Sequence, residues 1–213
     1  GAYAIKVVRS LLGATFGPVF SQDCGSKWRW TCEQSVGYMG VFDPKFVFSV
    51  QSNAIFATTF NGLTVTRDEG CSWSFVPALQ DLFVDDLLGT TEMTASGTPR
   101  EVMWALTSSA AKRNCAFQSL DDGATFQESG LCSESLFFKS MAVAPSDPQQ
   151  LYVTGYDPNM NVMRPTFHRS TGRDTAGMMQ WETLELPQAL WPASDLRIVG
   201  VDKASAMQVY LRG

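Results

Sequence analysis

The stretch Ser119-Leu120-Asp121-Asp122-Gly123-Ala124-Thr125-Phe126 decides how this chain is read. A hydroxyl, an aspartate, a glycine two residues on, then a hydroxyl and an aromatic spell a tight hairpin turn. At such a tip the aspartate accepts backbone N–H bonds, and the glycine permits positive φ. The pattern returns as Thr66-Arg67-Asp68-Glu69-Gly70-Cys71-Ser72-Trp73 and as Ser21-Gln22-Asp23-Cys24-Gly25-Ser26-Lys27-Trp28. A stretched fourth copy runs from Ser170 to Trp181, with Asp174 and Gly177 in the turn. One such turn is a weak signal, because any hairpin can carry it. Three near-complete copies and a degraded fourth are a strong one.

Working outward, each turn is flanked by short β-branched or aromatic runs punctuated by Gly and Pro, as an all-β chain requires. Val102 to Thr107 is the strongest of these. Tyr3 to Val8, Met39 to Phe42 and Ile55 to Thr59 are expected strands as well. The turn aspartates Asp23, Asp68, Asp121 and Asp174 are 45, 53 and 53 residues apart. Four strands per period of this length is the signature of a propeller blade. The expected fold is therefore an all-β propeller of about four to five four-stranded antiparallel blades. It forms one domain over residues 1–213, with blades roughly at 1–35, 36–78, 79–130 and 131–188 and a partial one at 189–213. The last unit reaches a turn near Asp202, and its aspartate turn would fall beyond Gly213. The last blade thus reads as incomplete, and the chain as a fragment of a larger propeller.

Composition narrows the function classes. Hydrophobic residues make up 45% and charged ones 17% of 213 residues, which is globular rather than disordered. The net charge is −5 and no Lys/Arg-rich run exists, so no nucleic acid partner is expected. No window approaches the roughly 20 apolar residues of a membrane span, so no membrane insertion is expected.

Five cysteines stand at 24, 32, 71, 115 and 132, without the CxxC pairs of a zinc site, and the single histidine, His168, cannot complete one. No metal and no cofactor are expected. The thiols are either buried and free in a cytosolic protein or bridged in an exported one. In the exported reading, which places the protein outside the cytoplasm, Cys115 and Cys132 flank the Asp121 turn on antiparallel strands and can meet. Cys24 and Cys32 are joined only if their strand breaks early, and Cys71 has no obvious partner.

The repeated pattern resembles the Asp-box (BNR) repeat of sialidases, sortilin-type receptor ectodomains, xyloglucanase-like glycosidases and photosystem II assembly factors, and of secreted bacterial propellers. The resemblance is carried by Ser21, Asp23, Gly25, Trp28, Thr66, Asp68, Gly70, Trp73, Ser119, Asp121, Gly123 and Phe126, with Asp174 and Trp181 as the degraded copy. Lys27 replaces the usual hydroxyl, and the Asp174 copy carries an insertion. The resemblance implies a propeller in which these turns are structural and lie away from any active site.

An enzyme is the second reading. The sialidase marks, an Arg-Ile-Pro segment and an arginine triad, are missing: Arg9, Arg29, Arg67, Arg100 and Arg197 fall in no such arrangement. A glycosidase needs two nearby carboxylates. Asp85, Asp86, Glu92 and Glu134 are available, but each also reads as a solvated loop acid. His168 alternates within a strand and reads as a satisfied ring.

No catalytic residue is therefore assigned. The chain reads as a non-enzymatic exported binding or scaffold module. The alternative is a glycoside hydrolase whose catalytic acids lie partly outside this chain. A partner, protein or glycan, would sit on the face opposite the aspartate turns, where long loops ride on a rigid scaffold. Those segments are 33–40, 60–61, 77–86, 108–114, 130–135, 157–165 and 187–194. Their candidate contacts are Tyr38, Phe83, Arg113, Tyr156, Asn159 and Trp191. The competing reading is that these side chains merely seal blade junctions.

Overall fold

The structure, a computed structural model, describes residues 10–14, 16–21, 23–40, 42–94, 96–158, 164–191 and 195–213. The strand expected at Tyr3 to Val8, and Asn159, lie outside these residues. The described chain is nearly all β and folds as successive antiparallel meanders.

The first sheet holds β1 (Ser10–Leu12), β2 (Val19–Ser21) and β3 (Arg29–Trp30). A single helical turn, α1 (Glu33–Val36), leads to the second sheet: β4 (Phe46–Phe48), β5 (Ile55–Thr59), β6 (Gly62–Thr66) and β7 (Ser74–Phe75). The third sheet is β8 (Val84–Met93), β9 (Pro99–Thr107), β10 (Asn114–Ser119) and β11 (Gln127–Ser133). The fourth is β12 (Phe137–Ala144), β13 (Asp147–Asp157), β14 (Arg164–Arg173) and β15 (Met179–Leu184). The fifth has β16 (Arg197–Val201) and β17 (Val209–Arg212). In every sheet the strands are hydrogen-bonded in chain order.

The core explains why the middle strands look apolar throughout rather than alternating. On β9, Met103 and Ala105 face a cluster with Phe56, Leu63, Val84 and Phe117, between the second and third sheets. Their neighbours Val102, Trp104 and Leu106 face Phe138, Met141, Leu151 and Val153, between the third and fourth. Side chains alternate with period two, yet both faces are covered by a neighbouring sheet. All residues of β5 and β10 are accordingly buried. The first strands pack side by side in sequence: β4 beside β8, β8 beside β12, β12 beside β16.

Local expectations needed correction at four places. The link expected at 77–86 ends at Phe83, because β8 starts at Val84, so Asp85, Asp86 and Glu92 are half-buried or buried strand residues rather than solvated loop acids. Met39 to Phe42 does not pair as a strand among its described residues. The chain leaves α1 through Gly37 at φ 106° and turns again at Gly40, so Phe42 is free to join an aromatic stack. Residues 130–133 are not part of an inter-blade link. They continue β11, held opposite β10 with Cys132 across from Cys115, and the link shrinks to residues 134–136. The 157–165 loop is shortened because β13 and β14 pair out to Asp157 and Arg164.

Candidate functional site

The aspartate turns join β2 to β3, β6 to β7, β10 to β11 and β14 to β15. In each of the first three, the leading hydroxyl does two jobs. Ser119 Oγ donates to Asp121 Oδ1 at 2.8 Å and accepts from the Gly123 N–H at 2.8 Å. Thr66 does the same for Asp68 and Gly70, and Ser21 for Asp23 and Gly25. The carboxylate then accepts the N–H four residues on: Lys27, Ser72 or Thr125. The hydroxyls of Ser72 and Thr125 also donate to the second oxygen, at 2.6 Å each. Lys27 has no hydroxyl to offer.

Asp68 is held strongly acidic. Hydrogen bonds from the Ser72 hydroxyl and N–H, then from Thr66, draw it down to about 2. Asp23 is lowered chiefly by the Lys27 N–H. Burial pushes Asp121 up, but the bonds from Thr125 and Ser119 outweigh it and the net shift is downward. Charge held this firmly by donors is staple chemistry, with no proton to exchange near neutrality.

The fourth turn differs because of its insertion. Asp174 takes the N–H groups of Ala176 and Met178. Ser170 has moved away and instead bridges the Leu151 N–H and the Gln149 carbonyl. The outgoing aromatics also diverge. Phe126 is buried in the core, and Trp73 packs partly under the second sheet. Trp181 donates its indole N–H to the Ser129 carbonyl. Trp28 is 46% exposed and lies over its own Gly25 rather than beneath the turn.

At the opposite end of the meanders lies a cavity of about 750 Å³. It is lined where the first strands of four successive sheets begin: Lys45 before β4, Asp85 and Asp86 on β8, Ser140 on β12, and Arg197 on β16. Bulges help to aim these groups. The β8–β9 register slips between Val84 and Asp86, and the β12–β13 register slips between Phe138 and Ser140. A bulge interrupts the strict in–out alternation of a strand, so the adjacent acids Asp85 and Asp86 both reach the cavity wall.

The same side chains stitch one sheet to the next. Asp86 Oδ2 accepts the Met141 N–H at 2.8 Å, and Ser140 Oγ accepts the Ile198 N–H at 2.8 Å. Inner strands would otherwise leave edge N–H groups unpaired, which is costly away from water. Burial pushes Asp86 up to about 6, against the N–H groups of Met141 and Leu87 and the charge of Lys45. Burial raises Asp85 too, although Lys139 stands 3.2 Å from Oδ2 and Arg197 is near.

Aromatic rings form one rim of the cavity. Phe60 stacks on Phe83 at 5.2 Å and touches Phe42 at 4.5 Å, and Tyr38 backs Phe42 at 5.8 Å. Phe60 remains 52% exposed.

The six loop candidates therefore separate. Phe83 lines the cavity. Tyr156 is not in its lining; Phe137 packs against its ring and the Lys139 ammonium lies over it. Tyr38 is a support: it is buried, bonds the Ala14 carbonyl, and is pushed up to about 12 by desolvation. Arg113 is spent on Glu128, and Trp191 lies under the Arg164 guanidinium at 4.4 Å. Asn159 lies outside the described residues.

Of the other acids, Glu92 is buried between Arg100 and Arg173, and Glu134 is an exposed partner of Arg113. His168 bonds Thr183 and Thr166 through its two ring nitrogens, and burial lowers it to about 4. Lys45, Phe42, Lys139, Ser140 and Arg212 escaped the sequence reading, while Phe60 stood only within the 60–61 segment and Arg197 only among the arginines weighed for a sialidase triad. For Phe42, Lys45, Lys139, Ser140 and Arg197 the signal is position, before or within the first half of the first strands, and Arg212 joins them by pairing with Arg197; both are visible only once the strands are numbered within each blade.

Cys115 and Cys132 are joined by a disulfide. Cys24, Cys32 and Cys71 are free, the first and last of them exposed. Among the described residues one trio, Cys115, Glu128 and Cys132, groups side chains of metal-ligand type, and its two sulfurs are already bonded to each other. No helix among the described residues is long and apolar enough to cross a membrane.

No protein-family profile and no curated protein matches the chain. Among solved structures it is similar to the GH74 xyloglucanase from Xanthomonas campestris, with a TM-score of 0.55 and 17% identity over 83% of this chain and 28% of that one. Two fainter likenesses are an ancestral GH74 enzyme (TM-score 0.36, 13% identity, 94% and 32% covered) and the NanB sialidase from Streptococcus pneumoniae (TM-score 0.42, 13% identity, 91% and 34% covered). The chain spans about a third or less of the length of each. Together with the successive antiparallel meanders, the first likeness makes the fold a β-propeller.

Proposed function

We propose that this chain is a non-enzymatic exported binding or scaffold module. In this reading its aspartate turns are structural Asp boxes, and its cavity takes a glycan. One observation carries the reading: an aromatic shelf stands beside a cavity of about 750 Å³ walled by fixed charges of both signs. Small-molecule sites span roughly 300–1,000 Å³ and combine apolar surface with a few oriented polar groups. A sugar ring is amphipathic in the same way. Its C–H face suits the exposed Phe60 ring, and its hydroxyls suit carboxylates and cations that already have fixed partners. The Cys115–Cys132 bridge supports an extracytoplasmic location, where such bonds persist.

The test is a glycan array followed by titration of the hits. Phe60→Ala should weaken binding about tenfold or more, since a stacking ring contributes on the order of 1–3 kcal/mol, while the melting temperature holds. Failure of every glycan to bind, with Phe60-dependent capture of a protein instead, would turn the reading to a protein partner.

A second reading is a glycoside hydrolase whose catalytic acids lie partly outside this chain, the activity class of the xyloglucanase neighbour. It is favoured by Asp86, raised to about 6 beside Asp85 in the same cavity. A carboxyl neutral in mild acid is the kind that donates a proton to a leaving oxygen. Release of reducing ends from an oligosaccharide, lost in Asp86→Asn, would establish this reading over the first.

A further inference from the structure

The cavity lining is mixed in charge on one side and basic on the other. Asp43 and Lys45 before β4 face it together with Asp85 and Asp86 of β8, whereas the charged residues that the fifth sheet brings to it are Arg197 and Arg212. Arg197 and Arg212 are directly opposite each other across β16 and β17, so their side chains emerge on the same face. Like charges in that position repel. Only one of the two is compensated: Arg197 Nε holds Asp195 Oδ1 at 3.0 Å, and its Nη1 faces the Lys139 carbonyl. Arg212 lines the cavity without a carboxylate partner among the described residues. Asp85 is paired with Lys139 and also feels the charge of Arg197, which leaves Arg212 as the uncompensated member of the pair. Asp86 is committed to the Met141 and Leu87 N–H groups.

We infer that Arg197 and Arg212 hold the carboxylate of an acidic sugar residue, an inference that rests on the glycan reading above. Arg212 offers a guanidinium fork that is free among the described residues, and Arg197, whose Nε and Nη1 are engaged, adds its Nη2, so a planar carboxylate can take donors from both and relieve their repulsion. With the carboxylate on this wall, the ring hydroxyls face Asp85 and Asp86 and the sugar's C–H face is directed toward the Phe60–Phe83 shelf. A neutral sugar would leave Arg212 uncompensated. An inorganic anion would make no use of the aromatic rim.

The test titrates the full chain with oligogalacturonate and with glucuronate-bearing xylan oligomers, each beside its methyl ester. Esterification removes the charge and keeps the ring. At least one acid should bind about tenfold or more tighter than its ester, the usual difference made by a charge-assisted hydrogen bond. Rising salt should erode that preference and leave ester binding alone. Arg212→Gln, an exposed strand position with unchanged thermal unfolding expected, should abolish the preference, and Arg212→Lys should keep part of it. Equal affinity for acids and esters, or a preference untouched in Arg212→Gln, overturns the anion seat and leaves the glycan reading standing. Absence of binding by every acid and ester, together with a blank glycan array, overturns both.

Discussion

Gly123 stands at φ 72°, and a Cβ built there would lie 2.3 Å from Phe56 Cζ and 3.0 Å from Met103 Sδ. The glycine of the Asp121 turn therefore meets two demands at once. It adopts a left-handed conformation, and it lets the turn lean on the second strand of the preceding sheet. Gly70 does the same against Phe20 and Thr31 of the first sheet. Gly177, in the stretched fourth turn, is also left-handed at φ 83° but has open space around its Cβ position. The two substitutions should separate the effects. Gly177→Ala should cost about 1 kcal/mol from the backbone alone, and Gly123→Ala clearly more, because the Phe56 ring must move. Urea unfolding midpoints of the two variants measure the difference, and equal costs would refute the inter-sheet role. The left-handed requirement was legible in the repeated Asp-x-Gly. The contact with Phe56 was not, because nothing local couples residues 67 positions apart in the chain.

At the scale of elements, the β10–β11 hairpin shows a bridge that sequence spacing could anticipate. Cys115 and Cys132 are direct cross-strand partners, 17 residues apart in the chain. Closing a loop of this length removes unfolded-state entropy equivalent to about 3 kcal/mol. The double variant Cys115→Ala/Cys132→Ala should lose about that much in denaturant unfolding, with the rest of the propeller still folded. The junction between the third and fourth sheets is different. Glu92 is only 8% exposed and sits between Arg100 on the neighbouring strand and Arg173 from the next sheet, which also bonds Gln118. Removing the shared acid leaves two guanidinium groups short of charge. Glu92→Ala should therefore cost about 3 kcal/mol, while Glu92→Gln, which keeps an acceptor, should cost less. Unfolding midpoints decide it, and a neutral Glu92→Ala would mean that solvent already satisfies both arginines. From the sequence Glu92 was merely one of several acids. Its partner Arg173 comes from another sheet, so only folding could assign the pair.

For the whole molecule, the response to pH sums groups that pull in opposite directions. Asp86 is raised to about 6 in the fold. Its contribution to stability is complete below the ordinary carboxyl value of 3.8 and is lost as pH rises through 6. Asp85, raised by burial, acts in the same sense. His168 is lowered to about 4 from 6.5. Its contribution is present above 6.5 and is lost as pH falls through 4. Between pH 4 and 6 His168 opposes Asp86 and Asp85, so the stability of the intact protein should vary less there than the carboxyls alone would make it. Single variants should expose the hidden slopes. Asp86→Asn should become more stable as pH rises from 4 to 6.5, and His168→Gln less stable over pH 4 to 6. Each swing should be about 2–3 kcal/mol at most. Parallel profiles for all three proteins would show that neither group titrates as described. Below pH 3.8 the depressed aspartates of the turns, Asp68 down to about 2, withdraw their contribution, and acid unfolding should set in.

The chain by itself determined the sheet class, the spacing of the blades and the identity of the turn that staples them. All of these follow from short-range chemistry: hydroxyl, aspartate and glycine within a few residues, and apolar runs of strand length. What those turns leave open is which loops converge. Phe60, Phe83, Asp86, Ser140, Arg197 and Arg212 lie on different strands or links, and radial packing of the sheets brings them around one cavity. Neither that convergence nor the raised proton affinity of Asp86 can be read from local pattern. Both depend on long-range burial, which only the tertiary structure creates.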